Sequence, residues 1–149
     1  MAGAMERIAE MTVGYVWERK QFGRPIGSFQ AVQQHLVLLN SEAAAASMAV
    51  AVVVATGETA KRRAEVGLAK EIANSAATIV ARLAHQAHGA IGMTEEYELQ
   101  QYTRRLWVWR QEFGSSTYWR ARIGTEVVAA GADRLWDRLT GVGSRRSLA

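Results

Sequence analysis

Three places in the chain gather residue types whose spacing could do chemistry. Arg19 closes a predicted helix just ahead of a stretch holding Gly23 and Pro25. A guanidinium there offers a planar cationic fork suited to phosphate, and a solvated helix-end charge is the plainer reading. Gln86, Gly89 and Gly92 form the second place. The glycines let a ligand approach the backbone, the amide can donate or accept, and Gly89 is equally an ordinary helix stop. The third is Glu112, a carboxylate able to take a proton or simply to sit near Arg110 at a helix end. His85 and His88 could act as bases, but they fall where histidine also interacts favourably with a helix C-terminus. Three histidines without metal-ligand spacing, and no cysteine, leave little material for a zinc or haem site, and no metal is expected.

Positioning these residues falls to helices. One proline, abundant alanine and long breaker-free segments predict an all-α domain. The first helix is expected over Met1 to Lys20, with Met5, Ile8, Met11, Tyr15 and Val16 along one stripe. It is expected to stop at Gly23, Pro25 keeps helix from continuing, and Ser28 is the expected N-cap of a second helix from Phe29 to Ala55. That helix repeats Val32, Leu36, Leu39, Ala43 and Ala46, then turns apolar nearly all round, which predicts burial of its second half on several faces. A third helix runs from Ala64 to His88, a fourth from Glu95 to Glu112 behind a Thr94 cap, and a fifth from Ser116 to Arg138. Short loops between long helices give an antiparallel bundle of four to five helices over residues 1–141, with a frayed tail at 142–149.

At 149 residues the chain fits one domain with a sizeable core. Glu6, Arg7 and Glu10 interrupt the first residues, so no signal-peptide core is expected there, and the absence of cysteine suits a reducing cytoplasm. The apolar run Ala43 to Ala55 is shorter than the ~20 residues that span hydrocarbon, so no membrane span is expected. A net charge of +4 attracts phosphates in general. Nucleic acid is disfavoured, because Lys61 to Arg63, Arg104 to Arg110 and Arg120 to Arg122 belong to no recognisable nucleic-acid motif.

Two segments go beyond a generic bundle. ERKQFGRPIGSFQAVQQ, Glu18 to Gln34, resembles the signature joining the first two helices of the acyl-CoA dehydrogenase C-terminal domain. HQAHGAIGMTEEYELQQYTRR, His85 to Arg105, resembles that family's glycine-bearing loop and following helix. The likeness covers nearly the whole chain but only the last portion of a usual family member. The family's N-terminal helical domain and middle β domain, which shape the acyl pocket and hold much of the flavin, lie outside it. By this resemblance Arg19, Gln21, Phe22, Phe29 and Gln30 match positions touching FAD held mainly by a neighbouring subunit, and Gln86, Gly89 and Ala90 match a second set of dinucleotide contacts. Ala90 stands where the family most often has glycine. Phe22 and Phe29 have a bland alternative as core, and Tyr97, Tyr102, Trp107 and Trp109 read as packing or subunit contacts.

The resemblance implies oxidation of a saturated acyl-CoA to the 2,3-enoyl-CoA, with a glutamate removing the α proton. Many members place that glutamate directly before a Gly-Thr pair. In QEFGSST, Gln111 to Thr117, aligning the glycine puts Phe113 at that position, and Glu112 requires a shift of one residue. Such a shift turns a helical side chain by about 100°. Glu112 is therefore the candidate base. Another branch of the family draws its base from the first helix, before the position of Met1, and a third arrangement lets a partner chain supply it. The chain is expected to be inactive alone and to act within a homo-oligomer or a heteromeric dehydrogenase. The alternative is a noncatalytic helical module that uses the same surface for assembly.

Overall fold

The structure is a computed structural model and describes residues 1–56 and 62–136. Among these residues the fold is carried by five α-helices: α1 (Ala2–Glu18), α2 (Gln30–Ala55), α3 (Arg62–His88), α4 (Leu99–Trp109) and α5 (Ser116–Ala130). The predicted tail at 142–149 lies outside the described residues.

Helix α3 is the central member and touches each of the other four. Its inner face is mostly alanine, with Ala73, Ala76, Ala77, Ala81 and Ala84 buried beside Val80 and Leu83. Small side chains let neighbouring helices approach closely. Ala43 and Ala46 of α2 and Met5, Ile8 and Ala9 of α1 complete this core, which Leu99 and Leu106 of α4 close from the far side. The expected stripe on α1 holds: Met5, Ile8 and Val16 are buried, whereas Met11 and Tyr15 are half-buried. The end of α2 shares a cleft with the start of α3 and of α1 (Val50, Val66, Met1). The start of α2 shares another with the ends of α3 and α1 (Val32, His88, Arg19). Consecutive helices among the first three are thus antiparallel.

Several local expectations are corrected. Helix α1 stops at Glu18 because Lys20–Gln21 pairs antiparallel with Arg24–Pro25. Phe22 (φ 51°) and Gly23 (φ 78°) form the two-residue turn between them. Positive φ at both central positions is the hairpin geometry whose twist matches paired strands. Ser28 does not cap α2. It lies in a short 3₁₀ turn (Ile26–Ser28) and donates its hydroxyl to the Pro25 carbonyl at 2.7 Å, leaving Phe29 at the N-cap with no side-chain cap.

Thr94 likewise caps no helix. Gly89–Met93 forms a 3₁₀ turn, the Thr94 hydroxyl donates back to Ile91 O at 3.0 Å, and α4 begins only at Leu99. Helix α4 ends at Trp109 rather than Glu112, since Phe113 (φ 56°) and Gly114 (φ 105°) reverse the chain. Ser115 does cap α5, accepting the Tyr118 amide at 3.3 Å, but α5 ends at Ala130 because Gly131 takes φ 87°.

The second half of α2 is not buried on several faces. Met48 is 66% exposed and Val54 72%, with Val50 and Val52 also exposed. Only the side facing α1 and α3 is covered. Apolar composition signals that a helix needs a cover, and the cover need not come from its own chain. By length and composition α2 could cross a bilayer. Its first half, however, carries Gln30, Gln33, Gln34, His35, Asn40 and Glu42, all polar.

Candidate functional site

The first cleft lies where the hairpin, the start of α2 and the end of α3 converge. It has a volume of about 510 Å³ and is lined by Arg19, Gln21, Phe22, Phe29, Gln86, Gly89 and Ala90, together with Tyr15, Val32 and His35. Seven of the eight residues expected to touch a dinucleotide therefore share one concavity. Gln30 does not join them; it sits on the neighbouring face of α2 with Gln33, Gln34 and Val37.

Each lining residue is held by its local backbone. Arg19 is the C-cap of α1, its amide bonded to Tyr15 O and its carbonyl to the Ile26 amide, both at 2.8 Å. That pairing locks the main chain and leaves the guanidinium exposed. Phe22 is 90% exposed, so the core reading fails for it. A bulky residue at positive φ is a strained arrangement, and strain of this kind concentrates at functional positions. Its ring meets Phe29 edge-on at 6.1 Å, and the Arg24 guanidinium lies 4.2 Å from the centre of Phe29. Helix α2 opens into the cleft without a side-chain cap, so its first amides add partial positive charge beside Arg19. Gly89 adopts φ +66°.

Beneath the cleft, His88 is 4% exposed. Its ring stacks on Tyr15 at 4.4 Å and meets Tyr97 at 5.0 Å. Burial, with His85 nearby, holds its pKa below the ordinary histidine value against the opposing bond to Ala84. His85 is shifted down by burial as well and contacts the Thr103 hydroxyl at 2.9 Å.

Glu112 lies elsewhere. It borders a second cleft of about 430 Å³, nearly all apolar, lined by Met1, Val50, Val54, Val66, Ala69, Lys70, Trp109 and Phe113. Met1 and Arg19 stand at opposite ends of α1. At 1.5 Å per residue that helix separates the two clefts by about 25 Å. The structure does not bring Glu112 together with the cofactor residues of the same chain.

Asn74 and Lys70, which sequence reasoning missed, hold the turn carrying Glu112. Lys70 donates to Asn74 Oδ1 at 2.5 Å and to Trp109 O at 2.9 Å. Asn74, fully buried, donates to Gly114 O at 3.2 Å and accepts from Arg110 Nε on its carbonyl at 3.1 Å. Burial lowers the Lys70 pKa, helped by Arg110 and opposed by Glu112 and Glu71. The one available signal was a lysine and an asparagine four residues apart on an otherwise apolar helix face.

A helical bundle bearing a hairpin and a glycine turn at one end is the architecture of the acyl-CoA dehydrogenase C-terminal domain. The glutaryl-CoA dehydrogenase in its glutaryl-CoA complex superposes with a TM-score of 0.80 and 25% identity over 86% of this chain and 33% of that one. The ChsE4–ChsE5 complex of Mycobacterium tuberculosis gives 0.79 and 29% identity over 85% of this chain and 35% of the other. The chain belongs to the acyl-CoA dehydrogenase family, whose C-terminal domain model matches residues 1–128. Acyl-CoA dehydrogenase IpdE2 of Mycolicibacterium smegmatis is 35% identical over 125 residues, 84% of this chain. The chain spans 39% of that relative's length.

Proposed function

We propose that the chain is the C-terminal part of an FAD-dependent acyl-CoA dehydrogenase that oxidises a saturated acyl-CoA to the 2,3-enoyl-CoA, and that it is inactive alone. The gathering of Arg19, Gln21, Phe22, Phe29, Gln86, Gly89 and Ala90 around one cleft carries this reading. The donor set suits a dinucleotide: a guanidinium and free helix amides for phosphate, two side-chain amides for polar edges, and two aromatic rings to flank a heterocycle. FAD, when bound, supplies the hydride acceptor.

In this reading Arg19 and the start of α2 hold the phosphates, and Phe22 shields the cofactor from water. Glu112 accepts the α proton on its carboxylate at the mouth of the apolar cleft, which Lys70 also lines. Because the clefts lie at opposite ends of α1, the cofactor touched by Arg19 is not the one served by Glu112 of the same chain. Assembly, with itself or with a partner dehydrogenase chain, follows from that division. The exposed face of α2 supports it.

A noncatalytic assembly module is the second reading. Phe113, 90% exposed at φ 56°, occupies the position where the family resemblance expects the base, and that favours it. The test is to mix the purified chain with FAD and with candidate partner dehydrogenase chains and follow flavin absorbance through size-exclusion chromatography. Co-eluting flavin that bleaches with acyl-CoA, is lost in Arg19→Ala, and is retained without bleaching in Glu112→Gln, supports the dehydrogenase. Oligomers without flavin in every mixture leave the module.

A further inference from the structure

Gly89 poses a physical question. Its φ of +66° is left-handed, yet a side chain built on it would meet nothing within 4 Å. Crowding at the glycine itself therefore does not impose the conformation. Something adjacent must hold it.

His88 is that neighbour. Its Nδ1 lies 2.8 Å from the Ala84 carbonyl, which can only accept, so Nδ1 carries the proton. Nε2 then has a free lone pair, and Tyr97 donates its hydroxyl there at 3.1 Å. The tautomer is set by its partners. Tyr15, stacked on the ring, donates its own hydroxyl to the His88 carbonyl at 3.3 Å, so the peptide leading into Gly89 is held as well. From the other side Gly92 presses down: a Cβ there would lie 3.0 Å from both His88 Cβ and Leu99 Cδ2. One buried ring thus joins α1, the end of α3 and the segment before α4, directly under the turn that lines the cleft.

We propose that His88 is the positioning residue of the dinucleotide cleft, its neutral imidazole tying Tyr15 and Tyr97 to the end of α3 and so fixing where the Gly89–Ala90 backbone and Gln86 face the ligand. Its ring lines the floor of the cleft, and it acts by holding the backbone there. The ligand part of this assignment rests on the cleft being a dinucleotide site, whereas the ordering of the turn does not.

The experiment uses the whole chain, ¹⁵N-labelled and free of cofactor, with two variants. Tyr97→Phe removes only a hydroxyl. His88→Asn keeps a donor for Ala84 O, as Asn40 donates to Leu36 O at 2.8 Å, but loses the link to Tyr97. The wild-type imidazole should show a protonated Nδ1 and a bare Nε2. Gly89 and Ala90 amides should be sharp in wild type and shifted or broadened in both variants, while circular dichroism stays unchanged. Loss of one ordering hydrogen bond should weaken binding of ADP, and of FAD in the assembly, by about three- to tenfold. A protonated Nε2, or Gly89 and Ala90 resonances untouched in both variants, overturns the proposal. If those resonances respond but wild type binds neither ADP nor FAD in any assembly, the positioning of the turn stands and the cofactor reading of the cleft falls.

Discussion

Asn74→Leu is the sharpest test of how the Glu112 turn is held. Leucine keeps the heavy-atom count and branching of asparagine and is somewhat larger, so no cavity forms, and the loss is chiefly one of hydrogen bonding. Two bonds disappear: Lys70 Nζ to Asn74 Oδ1, and Asn74 Nδ2 to Gly114 O. A bond to a charged group is worth about 1.5–3 kcal/mol and a neutral one about 0.5–1.5. Lys70 is only partly buried, so water replaces some of the first, and the low end applies to it. The sum is about 2–3 kcal/mol. For a domain of this size that corresponds to a fall in Tm of roughly 4–12 °C. Urea titration gives the free energy, and Lys70→Met with the double variant completes a cycle. Because Lys70 and Asn74 share one bond, the cycle should show a coupling of about 1 kcal/mol or more. Additive effects, or a loss below about 0.5 kcal/mol, would refute the claim that this pair anchors the turn.

Other consequences follow from particular positions. Gly67→Ala places a methyl 2.6 Å from the Trp119 ring, so strain of about 1–3 kcal/mol should outweigh the helix-propensity gain, whereas Gly124→Ala, with open space around it, should gain nearly 1 kcal/mol; melting curves of the pair decide. Burial holds His85 and His88 below the ordinary histidine pKa of about 6.5, so above that pH both folded and unfolded chains keep neutral rings. As pH falls below it the unfolded chain protonates first, and stability drops by at most about 1.4 kcal/mol per pH unit per histidine, until the folded rings protonate too. Melts at pH 7.5 and 5.5 that coincide would contradict this, and His88→Phe should flatten the dependence. Phe22→Asn should leave the isolated chain as stable or slightly more so, by up to about 1 kcal/mol, since asparagine accepts left-handed backbone, while flavin retention in the assembly falls. Met48→Glu with Val52→Lys should abolish self-association seen by light scattering without lowering Tm.

Helix existence was legible in the sequence because apolar spacing reports a buried face whatever covers it. Boundaries failed where a local bond outcompeted a cap. Ser28 and Thr94 both look like helix starts, yet each hydroxyl turns back to a carbonyl three residues earlier within a 3₁₀ turn. Hydroxyl side chains make both kinds of bond, and composition does not separate them. The hairpin was missed because its strands are two residues long and its turn uses Phe22 where asparagine or glycine is usual. The cleft residues were named by resemblance. What residue types alone could not show is that Gln86 and Arg19, far apart in sequence, face one another because α1 and α3 end at the same side of the bundle.

The same geometry bears on how the two proposed sites share one short bundle. Helix α3 carries Lys70 in its first half and Gln86 and His88 at its end, with Gly89 just beyond, so one rigid element lines both clefts. Rigidity keeps each constellation in register, but it also keeps them about 25 Å apart, farther than any side chain reaches. The acceptor of the β hydride and the base that takes the α proton must meet at one Cα–Cβ bond of the substrate. If both clefts act in dehydrogenation, then each active centre combines the hairpin end of one chain with the Glu112 end of another. Mixing Arg19→Ala and Glu112→Gln chains tests this directly. Each variant assembly alone should be dead, whereas in mixed assemblies some centres receive both intact ends, and activity should return to about a quarter of wild type if chains mix at random. Continued inactivity in mixtures shown to contain both chains would mean that the two ends do not serve a shared centre.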